Sequence, residues 1–478
     1  MELIKKRQTL RLPARASVWY ITASAIGRGI GVFGTPIFTR LLDAKEYGLY
    51  PLYNTWLGIA TVFVTLELTG ASALRGLQKF ENKKSEFLCS AVGLICVSFA
   101  IICTLYSVAH TQINRFTGLS TPISYVMLMQ IFVNAVINLY CAGARYKYHY
   151  KRVAAINTAA AILSPVISVA IITLTQYKAE GRIIGGLIAT SLIGLPILIT
   201  LIEGGRRLYN KEMWRYLLTM ALPLLPHYIS TTAIIRIGEI TVGRVHGTAE
   251  LGKYSVAMSL GLSLSIVTGG LLSAVGPWIL RHIRQNDFLK IREVLLLLTR
   301  GLCLFALLIL SVVPETIMIL TPSEYHDVLP AVYPLVLSGI PTFLSSAVTS
   351  GQIYYERTAV TSIPAIISCI ASTLFSLFLL PKTDYRFAGL FVLLSYIILL
   401  VGNILIFKTL SKQTPIKVKE TALIYLLSLA CGALLMLLRE STVTRLVLAA
   451  PLIPLLLSVI GEAYKIIREP GELKSFKM

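Results

Sequence analysis

The chain has 478 residues, of which 55% are hydrophobic and 14% are charged, and 44 Lys and Arg against 23 Asp and Glu give a formal net charge of +21. Soluble domains carry roughly 25% charged residues, so this composition excludes an ordinary soluble protein. In a soluble chain this charge would favour nucleic-acid binding, but here the basic residues form short clusters between long apolar runs. That pattern is typical of a membrane protein that retains Lys and Arg on its cytoplasmic side.

About 20 apolar residues are needed for a helix to cross the hydrocarbon core of a bilayer. The first run is too long for the apolar core of a signal peptide, so it is predicted to remain as an uncleaved span. The longest polar connections, 71–87 and 276–293, are too short for a hydrophobic core of their own, which excludes a soluble catalytic, nucleotide-hydrolysing or receptor domain. Fourteen runs are predicted to span the membrane, near 17–39, 49–70, 88–109, 123–143, 154–176, 183–203, 217–238, 253–275, 294–313, 329–350, 359–380, 387–407, 421–438 and 446–460.

Lys and Arg are distributed unequally between alternate connections. Thirty lie in the two tails and the connections on the same side, eleven lie on the other side, and three lie inside predicted spans. The richer side is predicted to be cytoplasmic, with both termini in the cytoplasm and the chain in a bacterial inner membrane. The segment 144–153 on this side mixes aromatic with basic residues and is predicted to contact anionic lipid headgroups rather than nucleic acid.

Two sequence matches indicate an internal duplication. The segments 40–50 and 244–254 share Arg, Glu, Gly and Tyr at an offset of 204 residues, and 150–154 matches 355–359 at an offset of 205. Six spans separate the matched positions, so two homologous six-helix bundles of like orientation are predicted, as in transporters built from parallel repeats. The predicted domains are an N-terminal six-helix bundle, a C-terminal six-helix bundle, and two additional transmembrane helices with a cytoplasmic tail, at 1–203, 204–410 and 411–478.

Three Arg residues inside predicted spans are the main candidates for a substrate site, because a charge in hydrocarbon is costly unless it faces a cavity or a partner. Arg28 lies about halfway along span 1, Arg236 lies toward the outer end of span 7, and Arg300 lies toward the cytoplasmic end of span 9. Structural alternatives stay open for each. Arg28 could have a partner within the bundle, Arg236 could pair with Glu239 one turn further on, and Arg300 could extend to the membrane surface.

Two further titratable residues, together with Glu239, are candidates for ion coupling or ion pairs. Glu67 lies near the inner end of span 2 and could pair with Arg75, and His227 could relay protons or pack as a hydrogen-bonded histidine. The seven cysteines all lie within spans and are interpreted as packing residues. The sequence contains no P-loop, zinc-protease motif, nucleophile elbow or pair of carboxylates with acid–base spacing. Neither an enzyme activity nor a cofactor or metal is therefore predicted.

Three segments carry a family resemblance: Pro36 to Gly48, Ala221 to Pro226, and Gly243 to Ala257. They resemble signatures of the polysaccharide transporter family, the oligosaccharide-lipid flippases of the MATE-like multidrug/oligosaccharidyl-lipid/polysaccharide exporter superfamily. The resemblance covers essentially the whole chain and implies an all-α polytopic membrane protein with about 14 transmembrane helices. One departure is that the family often has Asp where Glu239 stands.

The resemblance implies a flippase for undecaprenyl-pyrophosphate-linked oligosaccharide units of O-antigen, capsule or exopolysaccharide. Guanidinium groups offer forked donors to phosphate oxygens, so Arg28 with Arg236 or Arg300 is expected to hold the pyrophosphate. A polysaccharide polymerase and a chain-length regulator are the expected protein partners, beside membrane lipids.

Alternative functions stay open within the same superfamily. A lipid II flippase is the closest of them. A cation-coupled multidrug antiporter would need acidic residues deep in its cavity, whereas the deep charges here are mostly basic. A membrane-embedded polymerase or glycosyltransferase would need a sizeable outer loop or an acidic catalytic cluster, and the outer loops here are short.

Overall fold

In a computed structural model of the protein, the structure describes residues 34, 36–147, 149–261, 263–352, 355 and 358–468. Within these ranges all regular secondary structure is helical. Eleven helical segments in the described part are long and apolar enough to cross a membrane, and they match predicted spans 3–7 and 9–14. The protein is thus a polytopic all-α membrane protein. Span 1 lies mostly outside the described residues, so the total of fourteen spans stays a prediction.

The internal contacts divide the chain into two compact units, residues 1–255 and 256–478. The predicted domain boundaries after residues 203 and 410 rest on sequence repetition rather than on contacts, and they stay a prediction. The helices of the first unit are α1 (Ala44–Thr65), α2 (Ala71–Lys79), α3 (Lys84–Thr117), α4 (Thr121–Tyr146), α5 (Tyr150–Leu174), α6 (Ala179–Gly205), α7 (Lys211–Ala221), α8 (Leu225–Val245) and the start of α9 (Thr248–Gly261).

The second unit contains the end of α9 and the remaining helices. A short π-helical segment, Phe375–Leu379, continues the fifth of the helices that follow α9. They are α10 (Leu264–Arg284), α11 (Phe288–Leu320), α12 (Leu329–Leu337), α13 (Gly339–Gln352), α14 (Thr358–Leu374), α15 (Ala388–Ser411), α16 (Val418–Leu437), α17 (Thr442–Ala449) and α18 (Leu452–Arg468).

Helix α1 has well-defined signals at both ends. At its start, Asp43 Oδ1 accepts a hydrogen bond from the Glu46 N–H at 2.7 Å, and Glu46 Oε2 accepts one from the Asp43 N–H at 3.2 Å. This reciprocal capping box satisfies two backbone donors that the first helical turn leaves free. The helix ends at Thr65 because Leu66 and Glu67 take left-handed backbone angles, with φ of 48° and 51°. The helix of predicted span 2 therefore ends before the predicted boundary at residue 70.

The core of the first unit is built by α3, α4, α6 and α7. Phe87, Leu139 and Leu217 are fully buried in it. Close helix packing in this unit depends on small residues, as at Gly185 of α6, where a Cβ would lie only 2.5 Å from the Cα of Ser168. Membrane helices approach each other closely where such small residues lie at the contact.

An arginine held by aromatic rings connects the start of α6 to the chain around the start of α1. The guanidinium carbon of Arg182 lies 3.7 Å from the ring centroid of Tyr50, 4.1 Å from that of Phe38 and 4.8 Å from that of Tyr47. A guanidinium at such distances is attracted by the negative faces of the rings. We call these four residues the Arg182 cage.

In the second unit, a buried ion pair joins α17 to α11. Arg445 is 1% exposed, and its Nη2 and Nη1 donate to the two carboxylate oxygens of Glu315 at 2.5 and 3.1 Å. Its Nη1 also donates to the Ser311 carbonyl oxygen at 2.7 Å, and the Thr442 hydroxyl donates to Glu315 at 2.8 Å. The last predicted span is thereby attached to the ninth.

Candidate functional site

The candidate site of the first unit lies where α1 packs against α8. Arg236 and Glu239 are three residues apart in α8, which places both side chains on one face of the helix. The Arg236 Nη1 donates to Glu239 Oε2 at 2.8 Å. The structure thus contains the ion pair that the sequence left as an alternative for Arg236.

Glu239 is a buried carboxylate whose charge is balanced. The residue is 6% exposed, and its Oε2 accepts a second hydrogen bond, from the Thr55 hydroxyl of α1 at 2.6 Å. A buried carboxylate without partners would be strongly unfavourable, and here one guanidinium and one hydroxyl donate to it. The hydrogen bond from Thr55 also fixes the position of α1 against α8.

Gly58, one turn after Thr55 in α1, makes room for the arginine. A Cβ at position 58 would lie 2.9 Å from the Nε of Arg236 and 3.3 Å from its Nη2. A side chain there would force the guanidinium to move, whereas glycine lets it lie against the backbone of α1. We call Thr55, Gly58, Arg236 and Glu239 the Arg236 cluster.

The guanidinium of Arg236 keeps donors available. Its side chain is 30% exposed, and in the described part of the chain only one of its N–H groups forms a hydrogen bond, the one to Glu239. An arginine has five such donors in a planar fork. The Arg236 cluster can therefore accept an additional anionic group without releasing Glu239.

A fully buried tyrosine lies beside this cluster. Tyr254 is 0% exposed, it interacts electrostatically with Glu239, and its hydroxyl has no hydrogen-bond partner among the described residues. Elsewhere on α1, the Tyr53 hydroxyl donates to Gln130 Oε1 of α4 at 2.5 Å. Polar groups of α1 are thus directed toward two different helices.

The remaining candidate arginines are not part of this cluster as the structure describes it. Arg28 lies outside the described residues. Arg300 belongs to α11 of the second unit, where its side chain is exposed and makes no hydrogen bond or ion pair with a described residue. The roles of Arg28 and Arg300 in substrate binding stay predictions.

Glu67 lies two residues after the end of α1, and His227 lies in the first turn of α8, so neither belongs to the Glu239 contact. Glu67 is half-buried, forms no ion pair with a described residue, and together with Arg75 influences Tyr228 electrostatically. The Nδ1 of His227 is buried and has no hydrogen-bond partner in the described ranges, while its ring lies 5.7 Å from that of Tyr228. In the described part of the chain, no group is therefore placed to exchange a proton with this nitrogen.

Two members of the Arg236 cluster were not found from the sequence. Thr55 and Gly58 come from a helix about 180 residues away from Glu239 in the chain, and a Thr and a Gly in an apolar span are too common to be singled out. In the described part of the chain, no group of three or more His, Cys, Asp or Glu residues is placed to hold a metal ion.

Residues 14–282 match the family of polysaccharide biosynthesis proteins. The chain belongs to this family. It is 23% identical over 279 residues to protein 1 of the Lsg locus of Haemophilus influenzae, a match that covers 56% of the chain and 66% of that relative. It is 29% identical over 105 residues to a Haloferax volcanii protein named "Probable low-salt glycan biosynthesis flippase Agl15", and this match covers 22% of each. The chain thus spans less than two thirds of the length of these curated relatives.

Solved structures show that the fold is shared with membrane transporters. The lipid II flippase MurJ in an inward closed conformation matches with a TM-score of 0.62 and 15% identity, over 94% of this chain and all of that one. An outward-facing multidrug resistance MATE family transporter of the MOP superfamily matches with a TM-score of 0.57 and 14% identity. This match covers 84% of this chain and 96% of the transporter. At these identities the likeness establishes the fold only. The MATE-like fold implied by the sequence resemblance is confirmed at this level.

Proposed function

We propose that this member of the polysaccharide biosynthesis family is a flippase for lipid-linked glycans. Its substrate is an undecaprenyl-pyrophosphate-linked oligosaccharide unit of O-antigen, capsule or exopolysaccharide, which moves from the cytoplasmic to the outer leaflet of a bacterial inner membrane by alternating access. The names of the relatives support a role in glycan assembly. The observation that carries the proposal is the partly exposed Arg236 guanidinium, which keeps unused donors beside a buried carboxylate that is already compensated.

The chemistry of a pyrophosphate fits this arrangement. Phosphate oxygens bind the planar fork of an arginine through two parallel hydrogen bonds, and the guanidinium stays charged at any physiological pH. In the proposed mechanism Arg236 contributes one cation, Arg28 contributes another, and the polyprenyl tail stays in the lipid. An inside-negative membrane potential favours outward movement of the anionic headgroup by about 2.3 kcal/mol per charge per 100 mV.

The balanced charge of Glu239 argues against a cation-coupled drug antiporter. Such a transporter needs a carboxylate that is free to take a cation or a proton, whereas Glu239 already has an arginine and a hydroxyl as partners. In this proposal both termini face the cytoplasm, and a polysaccharide polymerase with its chain-length regulator receives the product at the outer face.

The test is to replace Arg236 and Glu239 together with glutamine, in cells that lack the native copy. The double variant Arg236→Gln/Glu239→Gln removes both charges, so no unpaired charge is left buried and the fold is retained. A charge-assisted hydrogen bond contributes about 1.5–3 kcal/mol, so we expect outer-leaflet delivery of lipid-linked oligosaccharide to fall by roughly 10- to 100-fold at equal protein level. The measurement is the fraction of this lipid that is accessible at the outer face.

The matched control is Glu239→Gln alone, which keeps the guanidinium and a neutral acceptor and is expected to retain delivery within a few-fold. A double variant as active as the native protein would remove Arg236 from substrate binding. Unchanged sidedness of lipid-linked oligosaccharide in cells without the protein, together with altered sensitivity to cationic drugs, would overturn the flippase proposal. Accumulation of a peptidoglycan precursor on the inner face would instead identify a lipid II flippase.

A further inference from the structure

A basic crevice opens in the first unit among the ends of α3, α4, α5 and α6. Its volume is about 260 Å³. Its polar lining includes Lys84 at the start of α3, Lys147 directly after α4, and His149 and Arg152 at the start of α5. The sequence assigned all of these connections to the cytoplasmic side independently, from their charge. The structure brings them together in one place.

The positive charge inside the crevice is largely uncompensated. No Asp or Glu belongs to its lining as the structure describes it. Only the Lys84 ammonium has described partners, since it lies 3.1 Å from a Glu81 carboxylate oxygen and 4.7 Å from the ring centroid of Tyr146. Lys147 and Arg152 are exposed, and neither side chain forms a hydrogen bond or ion pair with any residue that the structure describes. An anion entering the crevice would therefore meet free donors.

Part of the crevice lining is apolar. Leu77, Leu88 and Leu201 belong to this part and are buried by at least nine tenths. Gly204, near the end of α6, adds open space, because a Cβ at this position would have no described atom within 4 Å. A lining that combines basic with apolar side chains matches a molecule that has an anionic head and a hydrocarbon portion.

We propose that this crevice binds the phosphate headgroup of an anionic membrane lipid, with the first segment of an acyl chain against Leu88 and Leu201. Basic pockets between membrane helices on the cytoplasmic side bind anionic headgroups through such lysines and arginines. The crevice shares no lining residue with the Arg236 cluster, and the proposal does not depend on the flippase function. The hydrocarbon portion distinguishes this ligand from free phosphate, and the small volume excludes a folded nucleic acid.

Native mass spectrometry of the full-length protein in detergent tests the proposal. The protein is titrated with dioleoylphosphatidylglycerol, with the zwitterionic dioleoylphosphatidylethanolamine, and with inorganic phosphate. Each Lys or Arg near an anionic membrane surface contributes roughly a fivefold change in binding, so Lys147→Gln/Arg152→Gln is expected to weaken phosphatidylglycerol binding roughly 25-fold. The matched control Lys408→Gln/Lys419→Gln removes two exposed lysines of another predicted cytoplasmic segment and is expected to have little effect.

A second variant tests the shape of the crevice without changing its charge. Gly204→Phe places a ring in the open space and is expected to reduce phosphatidylglycerol binding at least tenfold. Gly461→Phe is its control, because a Cβ at position 461 in α18 also meets no described atom within 4 Å. Equal binding of the two phospholipids, binding of inorganic phosphate as tight as that of the lipid, or native-like binding by both crevice variants would each overturn the proposal.

Discussion

The two units each contain a partly buried Arg and Glu pair, and the pairs use their donors differently. Arg445 is 1% exposed and directs three hydrogen bonds at Glu315 and a backbone carbonyl on another helix. Arg236 pairs with a glutamate of its own helix through one hydrogen bond, and 30% of its side chain is exposed. In the first pair the carboxylate is the more exposed partner, and in the second it is the arginine.

This difference separates a structural ion pair from a pair that can bind a ligand. Burying both charges is favourable only when hydrogen bonds satisfy most of their donors and acceptors. The Arg445 pair meets that condition with protein groups alone, so it attaches helices. The Arg236 pair meets it for the carboxylate only, and its guanidinium retains donors for a substrate.

The largest effect is expected for the structural pair. Arg445→Gln leaves Glu315 without its counter-charge and detaches α17 from α11. Breaking a buried pair typically costs about 3–5 kcal/mol, and the partial exposure of Glu315 places the expected loss near the lower end, about 3 kcal/mol in the free energy of unfolding. Denaturant unfolding in mixed micelles measures it, with Arg439→Gln in the turn before α17 as control. Equal stability of the two variants would contradict a structural role for Arg445.

A smaller loss of stability is expected when the Thr55 hydroxyl, which donates to Glu239, is removed. Thr55→Val keeps the shape of the side chain but removes the donor to the carboxylate, and a hydrogen bond to a charged group contributes about 2 kcal/mol. The control is Thr61→Val, because among the described residues the Thr61 hydroxyl donates only to the Leu57 carbonyl oxygen of the same helix. If both valine variants unfold at the same denaturant concentration, Thr55 does not stabilise Glu239.

The smallest change in stability is expected at Gly58, where a gain in helix propensity is offset by the displacement of Arg236, while transport should fall. Alanine favours a helix over glycine by up to about 1 kcal/mol, yet the methyl group of Gly58→Ala displaces the Arg236 guanidinium. Misplacing a ligand-binding group lowers the rate, so outer-leaflet delivery should fall by up to about tenfold. Gly461→Ala is the control, because its methyl group has no described atom within 4 Å and it therefore changes helix propensity only. Undiminished delivery by Gly58→Ala would show that the position of the guanidinium is not critical.

The sequence predicted the helical runs well because hydrophobicity over 20 residues is a local signal. It also offered the Arg236 and Glu239 pair as an alternative, since a spacing of three residues on a helix is local too. It did not predict Thr55 and Gly58, whose roles arise only when α1 packs on α8.

The pair in the second unit shows the same limit. Span 14 is predicted to begin at residue 446, which places Arg445 in an outer connection. In the structure α17 begins at Thr442, and Arg445 is buried against a glutamate 130 residues away. No periodicity along the chain connects two positions so far apart.

The Arg182 cage has a consequence for exchanging parts between members of this family. Two of its rings, Phe38 and Tyr47, belong to the segment that carries the family resemblance, while the cation they enclose comes from α6, far along the chain. Residues in such contact are expected to vary together among relatives. A chimaera that transplants the signature segment alone would separate the rings from their cation, so a compatible graft has to carry position 182 with it.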